Sequence, residues 1–176
     1  STFYETPNID RLAREGIRFT NAYAACPVCS PTRASIMTGK YPARLGLTNY
    51  LPGRHPTPYS KLIGVDCVQQ LALEEKTIAE VLKPAGYQTA HFGKWHLGGA
   101  GFGPERQGFD TTFAAQGGVG SYFYPGWKGK NPGIPGRSGE LITDRLGEEA
   151  SAFIRARRDQ PFFVYLPHFA PHVPLE

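Results

Sequence analysis

Thr77-Ile78-Ala79-Glu80-Val81-Leu82-Lys83-Pro84-Ala85-Gly86-Tyr87-Gln88-Thr89-Ala90-His91-Phe92-Gly93-Lys94-Trp95-His96 is the stretch that decides how this chain folds. Thr77 and Glu80 have the spacing of a capping box, in which each side chain satisfies a backbone N–H that a first helical turn leaves unpaired. The helix they open carries Ile78, Val81, Leu82 and Ala85 on its predicted buried face, and Pro84 and Gly86 close it. Tyr87 to Phe92 then reads as a strand, which Gly93-Lys94-Trp95-His96 leaves as a polar loop. The order recurs downstream. A helix from about Leu141 to Arg157 places Ile142, Leu146, Ala150, Phe153 and Ile154 on one side and leads to the continuous apolar run Phe162 to Leu166. Such a run suits a strand buried on both faces, as strands of parallel sheets are. Helix, strand and loop at 77–96 and again at 141–172 predict an α/β fold, a mostly parallel central sheet flanked by helices. Ligands of such sheets collect beyond the carboxyl ends of the strands, so Lys94, His96 and His172 are expected to converge.

Towards the N-terminus, Thr6 and Pro7 open a helix that shares Ile9, Leu12 and Ala13 on one face and ends at Gly16. An extended stretch, Ile17 to Tyr23, follows. Ser30-Pro31 reads as a cap opening a short helix over Thr32 to Thr38, ended by Gly39, which puts Cys29 immediately before a helix N-terminus. Tyr41 to about Gly64 reads as a loop, and Gly98 to Gly139, rich in Gly, Pro and aromatics, as a loop with a short strand.

Composition narrows the classes. The 176 residues are 40% hydrophobic and 19% charged, the balance of a globular chain, and no apolar run approaches the roughly 18 residues of a membrane span. A net charge of +4 comes from scattered Lys and Arg, with only Arg155, Arg157 and Arg158 clustered. That trio reads as the end of a solvated helix, so no nucleic-acid partner is expected. The first residue is Ser1 and the last three are Pro174-Leu175-Glu176, so both ends are read as cut and any secretion signal as lying outside the sequence. Three cysteines cannot close a disulfide framework, and they leave the compartment open.

Cys26-Pro27-Val28-Cys29-Ser30-Pro31-Thr32-Arg33 is the most specific segment. A Cys-x-x-Cys pair before a helix suits dithiol exchange, because the helix N-terminus lowers the thiol pKa. Zinc bound by Cys26, Cys29, Cys67 and a His is a second reading, short of a second close pair of ligands. Two buried thiols are the third.

The same residues carry a resemblance. Cys29-x-Pro31-x-Arg33, continued through Thr38-Gly39-Lys40, resembles the sulfatase signature C-x-P-[ST]-R followed by T-G. Gly86 to His96 resembles the second sulfatase signature, Phe162 to Pro174 the later His-containing segment, and Thr6 to Leu12 the family's lead-in. The resemblance spans essentially the whole chain. It implies an alkaline phosphatase/sulfatase-like sheet and hydrolysis of a sulfate ester, aryl or carbohydrate. It further implies that residues 1–176 are part of a single sulfatase catalytic domain whose first strand and C-terminal portion are missing.

By the resemblance, Cys29 is oxidised by a separate formylglycine-generating maturation enzyme to formylglycine. One hydroxyl of the hydrated aldehyde attacks sulfur and expels the alcohol; the other then loses its proton, and sulfate leaves. Arg33 is implied to hold the formylglycine, Lys94 to bind a sulfate oxygen, His96 to assist proton loss from the diol, and His172 to bind sulfate and protonate the leaving oxygen. His168 is read as packing or support behind the site, and His91 and His55 as structural. Ser121 is a weaker candidate for approaching the sulfate. Tyr122, Phe123, Tyr124, Trp127, Lys128 and Lys130 either line a sugar or aryl site or form an ordinary packed loop.

Family members hold a divalent cation, usually calcium, with the formylglycine and with paired Asp-Asp and Asp-Asn residues. Asp10, Asp66, Asp110, Asp144 and Asp159 are all isolated here, so only Cys29 is expected as a metal ligand and this stretch alone is expected to be inactive. Exposed apolar sheet edges and aggregation are expected with it. The resemblance points to a periplasmic, secreted or lysosome-like compartment. A phosphonate or phosphate ester hydrolase of the same superfamily is the nearest rival, and a noncatalytic binder of sulfated glycans is a further alternative.

Overall fold

The computed structural model describes residues 3–54, 56–115, 117–127 and 134–175. His55, Lys128 and Lys130, for which a structural or lining part was expected, lie outside the described residues.

Three strands form one sheet in the order β2-β1-β3: β1 (Gln88–Phe92), β2 (Thr111–Phe113) and β3 (Phe162–Tyr165). Both pairings are parallel, with Ala90 opposite Thr111 on one side and Val164 on the other. Alternation along the strands sorts the core into two layers, because successive side chains point to opposite faces. Ala90 and Phe92 face one layer with Phe162 and Val164 beside them, and helix α5 (Ile142–Ala156) covers it with Ile142, Leu146, Ala150 and Phe153. His91 faces the other, among Trp95, Phe109 and Tyr165, where helices α2 (Cys29–Thr38) and α4 (Ile78–Leu82) supply Ala34, Met37 and Ala79. This is the expected helix-flanked parallel sheet. Each fully buried Leu or Met on these faces stabilises the fold by about 1.5–3 kcal/mol.

Several local expectations are corrected. α2 begins at Cys29, with Val28 as its cap residue, and Ser30 is buried inside its first turn rather than capping it. The predicted buried face of α4 is largely exposed: Ile78, Val81 and Ala85 face solvent and Ala79 is the buried residue. The reason is backbone proximity. Thr77 Oγ1 donates to the Gln107 carbonyl at 2.7 Å while accepting from Glu80 N, and a Cβ on Gly108 would lie 2.5 Å from that same Glu80 nitrogen. Only a small residue fits such an approach. The capping box itself forms as expected, and a 3₁₀ turn at Lys83–Ala85 follows it.

The 41–64 loop contains a one-turn helix, α3 (Pro42–Leu45), begun by Pro42 and ended by Gly46 at φ +64°. The 98–139 segment holds a 3₁₀ turn at Pro104–Arg106 and the short strand β2. All four residues of β3 are half-buried rather than buried on both faces, since β3 is an edge strand among the described residues. At the N-terminus, α1 (Pro7–Glu15) forms as predicted but buries no residue, and Ile17, Phe19 and Tyr23 beyond it are exposed. Among the described residues no helix is long and apolar enough to cross a membrane.

Candidate active site

The site is built where β1 and β3 end. Gly93 follows β1 at φ +120°, and a Cβ there would lie 2.2 Å from the Pro167 carbonyl oxygen, so only glycine lets the two strand exits approach. The exits are joined by Lys94 N–H donating to that same carbonyl at 2.8 Å. Lys94 is thereby turned inward and is buried, 4% exposed. Two residues on, His96 adopts φ +55°, a left-handed conformation that a non-glycine residue rarely takes and that a site can impose.

Cys29 meets this loop from α2. Its Sγ lies 3.3 Å from His96 Nδ1, and His96 Nε2 is 2.7 Å from the Leu51 carbonyl oxygen. Arg33, one turn along α2, donates from Nη1 to the Lys94 carbonyl at 2.8 Å and so ties the helix to the loop after β1. A cavity of about 720 Å³ opens over Cys29, walled by Lys94, His96 and His172 with Tyr50, Leu51 and Val119 among the rest. The expected convergence of Lys94, His96 and His172 is therefore found, with Cys29 at the same wall. Arg33 lies behind it, in a second cleft that Cys29 also lines together with Cys26 and His168.

The charge of the site is one-sided. The described residues lining the cavity include no carboxylate, whereas Lys94, His96 and His172 are basic. Burial holds His96 below its ordinary imidazole value, opposed by the Leu51 hydrogen bond and reinforced by the charges of Lys94, Arg33 and His172. A neutral imidazole at neutral pH follows, and α2 adds the positive end of its dipole beside Cys29. Such a pocket suits a tetrahedral anion. His172 is exposed at the rim, its backbone carbonyl accepting a hydrogen bond from the Tyr122 hydroxyl.

Other candidates are not brought to the cavity. Ser121 Oγ accepts from Phe123 N at 3.1 Å and Ser121 does not line the cavity. Tyr122 and Trp127 are buried in the core layer under α5, Tyr124 packs edge-on to Trp127 at 5.2 Å, and Phe123 lines a different cleft. These aromatics form a packed loop rather than a sugar platform at Cys29. His91 is fully buried among three aromatic rings, as a structural histidine.

Calcium takes six to eight oxygen ligands. Among the described residues no group of three or more His, Cys, Asp or Glu is gathered to hold a metal ion, and the charged neighbours of Cys29 are cations. The described residues do not by themselves fit a calcium site, and they gather no zinc set around the three cysteines, all of which are free.

What the sequence did not disclose are the Leu51 carbonyl, the buried Ser30 hydroxyl and the Gly117-Gly118-Val119 wall. Main-chain groups carry no signature in residue type. The paired glycines were the one available signal, and Gly117 uses its missing side chain: a Cβ there would lie 3.0 Å from His96 Cδ2.

Comparison with known proteins identifies the family. The family model for Sulfatase matches residues 2–176. N-acetylgalactosamine-6-sulfatase from Homo sapiens is 38% identical over 97% of this chain and 35% of its own length, and the ulvan-active sulfatase of Formosa agariphila is 34% identical over 97% and 31%. Among solved structures, Ps i-CgsB in complex with k-i-k-neocarrahexaose superposes with TM-score 0.76 at 33% identity, covering 97% of this chain and 41% of that one. BT4656 in complex with its substrate D-glucosamine-2-N,6-O-disulfate gives TM-score 0.65 at 29% identity, over 96% of this chain and 30% of that one. The chain thus spans about a third of the length of the curated relatives it matches. With ordered motifs, a parallel sheet and a family match along nearly its whole length, this chain belongs to the sulfatase family.

Proposed function

We propose that the complete protein is a sulfuric ester hydrolase acting on a sulfated carbohydrate, with Cys29, matured to formylglycine by a separate enzyme, as its nucleophile. The observation that carries the reading is Cys29 Sγ set 3.3 Å from His96 Nδ1 at the wall of a cavity whose charged lining is basic. Support for a carbohydrate comes from the relatives, one named N-acetylgalactosamine-6-sulfatase and one ulvan-active sulfatase, and from neighbours in complex with k-i-k-neocarrahexaose or D-glucosamine-2-N,6-O-disulfate.

As formylglycine, position 29 supplies a hydrated aldehyde with one hydroxyl to attack sulfur and a second whose deprotonation lets sulfate go. The remaining tasks fall to this chain's side chains. Lys94, a compact buried cation, attracts a sulfate oxygen and offsets charge that grows there in the transition state. His96 accepts a proton at Nδ1, the atom that faces position 29. His172, at the rim, binds sulfate and delivers a proton to the departing sugar oxygen. Arg33 holds α2 against the Lys94 backbone, which keeps nucleophile and anion site in register. A divalent cation, calcium in this reading, would have position 29 as one ligand and would need further oxygen ligands that the described residues do not gather, so the 176-residue stretch is expected to be inactive alone.

The test uses the complete protein made in a host that matures sulfatases. Mass spectrometry of the tryptic peptide containing Cys29 should show a residue lighter than cysteine, and matched sulfate and phosphate esters of one sugar should be turned over in favour of sulfate. Preference for the phosphate ester would transfer the reading to phosphoryl chemistry. An unmodified Cys29 in a reductant-sensitive bond with Cys26, without ester turnover, would replace it by dithiol exchange. Turnover of an aryl sulfate by the 176-residue stretch in calcium would refute the dependence on other residues.

A further inference from the structure

Ser30 was expected to cap α2 and does not; its hydroxyl is used elsewhere. It is fully buried, and its Oγ accepts the Leu51 N–H at 3.2 Å, a partner 21 residues away. Leu51 in turn presents its carbonyl oxygen 2.7 Å from His96 Nε2. A carbonyl can only accept, so in the neutral ring the proton of this hydrogen bond resides on Nε2. Nδ1 is then bare, and it is the nitrogen that faces Cys29 at 3.3 Å. The ring has little freedom to leave this pose: Gly117 closes on its other edge, and His96 itself is held at φ +55°.

We infer that Ser30 is a positioning residue for His96, fixing through the Leu51 backbone the imidazole tautomer that leaves Nδ1 free to take a proton at position 29. The inference rests on the sulfuric ester hydrolase reading for its catalytic meaning, but not for its geometry. Its physical content is that one helical turn sets both reacting partners. Cys29 supplies the nucleophile's place, and its neighbour Ser30 supplies the base's protonation pattern by holding a loop that touches the base. A merely satisfied buried hydroxyl would fill space and pair a donor. This one pairs the donor of the very residue whose acceptor orients His96.

The experiment compares complete, matured wild-type protein with Ser30→Ala and Ser30→Thr, turnover being normalised to the formylglycine content of each because the substitutions adjoin Cys29. Nitrogen-15 NMR of histidine-labelled protein reports the His96 tautomer, assigned by its loss in His96→Gln. The wild type should show Nε2–H. Ser30→Ala should mix the tautomers and lower kcat by roughly two- to tenfold, the worth of one neutral hydrogen bond, with KM little changed. Ser30→Thr, which keeps the hydroxyl, should retain the wild-type tautomer and kcat.

An unmoved His96 signature in Ser30→Ala with unchanged kcat would overturn the inference while leaving the hydrolase reading standing. A shifted signature in a protein that turns over no sulfate ester would support the positioning and overturn the hydrolase reading instead. If Ser30→Ala does not fold, the nearly isosteric Ser30→Cys, whose sulfur is only a weak acceptor, carries the same measurement. An Nδ1–H tautomer in the wild type would by itself refute the inference.

Discussion

Helices α1 and α2 are nearly equal in length, nine and ten residues, and they reverse the usual relation between pattern and burial. α1 has the clearer division of apolar from polar faces, yet Ile9 and Leu12 are 67% and 70% exposed and none of its residues is buried. α2 has almost no such division and buries Ser30, Pro31, Ala34 and Met37. What distinguishes α2 is that its buried stripe is mostly small, so its backbone comes close to the core layer, and that Arg33 and Ser30 anchor it by hydrogen bonds to the two loops that form the site. Amphipathicity tells which face a helix could bury. Docking is decided by what stands opposite.

The sharpest test of that contrast is chemical. In the complete protein, Cys29→Ala should abolish sulfate ester hydrolysis, and Lys94→Ala should lower kcat/KM by roughly 10²–10³-fold, as loss of a preorganised charge does. Lesser losses would break the assignment of the site to the α2 side.

Stability comes next. Met37, 1% exposed under α2, should cost about 2–5 kcal/mol when changed to Ala, read from denaturant unfolding of the complete protein. A negligible cost would place α2 with α1 as a helix formed but not docked.

Acid should loosen the layer beneath α2 before neutral conditions do. His91 is pushed from 6.5 down to about 3, chiefly by burial, with Arg33 adding to the shift against backbone hydrogen bonding. Its folded value lies below its unfolded one, so between them the unfolded chain binds the extra proton. Stability from this group is complete above about pH 6.5 and is lost as pH falls towards about 3, by up to about 1.4 kcal/mol per pH unit. His91→Leu should flatten that slope in urea titrations at successive pH values. Since neither ring nitrogen makes a well-aligned hydrogen bond among the described residues, the substitution should cost little at neutral pH.

The smallest effect belongs to α1. Leu12→Ala should leave the 176-residue chain's pattern of limited proteolysis unchanged, with residues 3–25 cut before 29–38. In the complete protein, a cost for Leu12→Ala equal to that of Met37→Ala would show α1 covered by other residues there, and would turn the contrast into one between parts of a longer chain.

The sequence was most legible where one residue type has one local use. Thr77 with Glu80, Pro7 after Thr6, and Gly39 and Gly86 beyond helix ends all serve as read. The strands were legible too, because Phe162 to Tyr165 alternates between the two layers whichever neighbours it has. Burial was not. The α4 face failed because Gly108 brings a backbone to Ala79 and leaves Ile78 and Val81 outside, a choice made 30 residues away. At the site, Cys29, Lys94, His96 and His172 could be named from motif order, whereas Leu51 enters through a carbonyl that every residue has. Ser30 was misread for a related reason: a serine beside a helix start commonly caps it, and here a distant N–H claims the hydroxyl.

Gly93 has a bearing on how such a protein can be altered. With its α-carbon pressed against the Pro167 carbonyl, the exits of β1 and β3 cannot be adjusted separately, so Lys94 and the segment leading to His172 move together or not at all. The floor that would grip a sulfate is therefore a single casting. Tyr50 and Val119 line the cavity from other segments without so close a backbone approach, and a change in what the cavity admits is more easily written there than beneath.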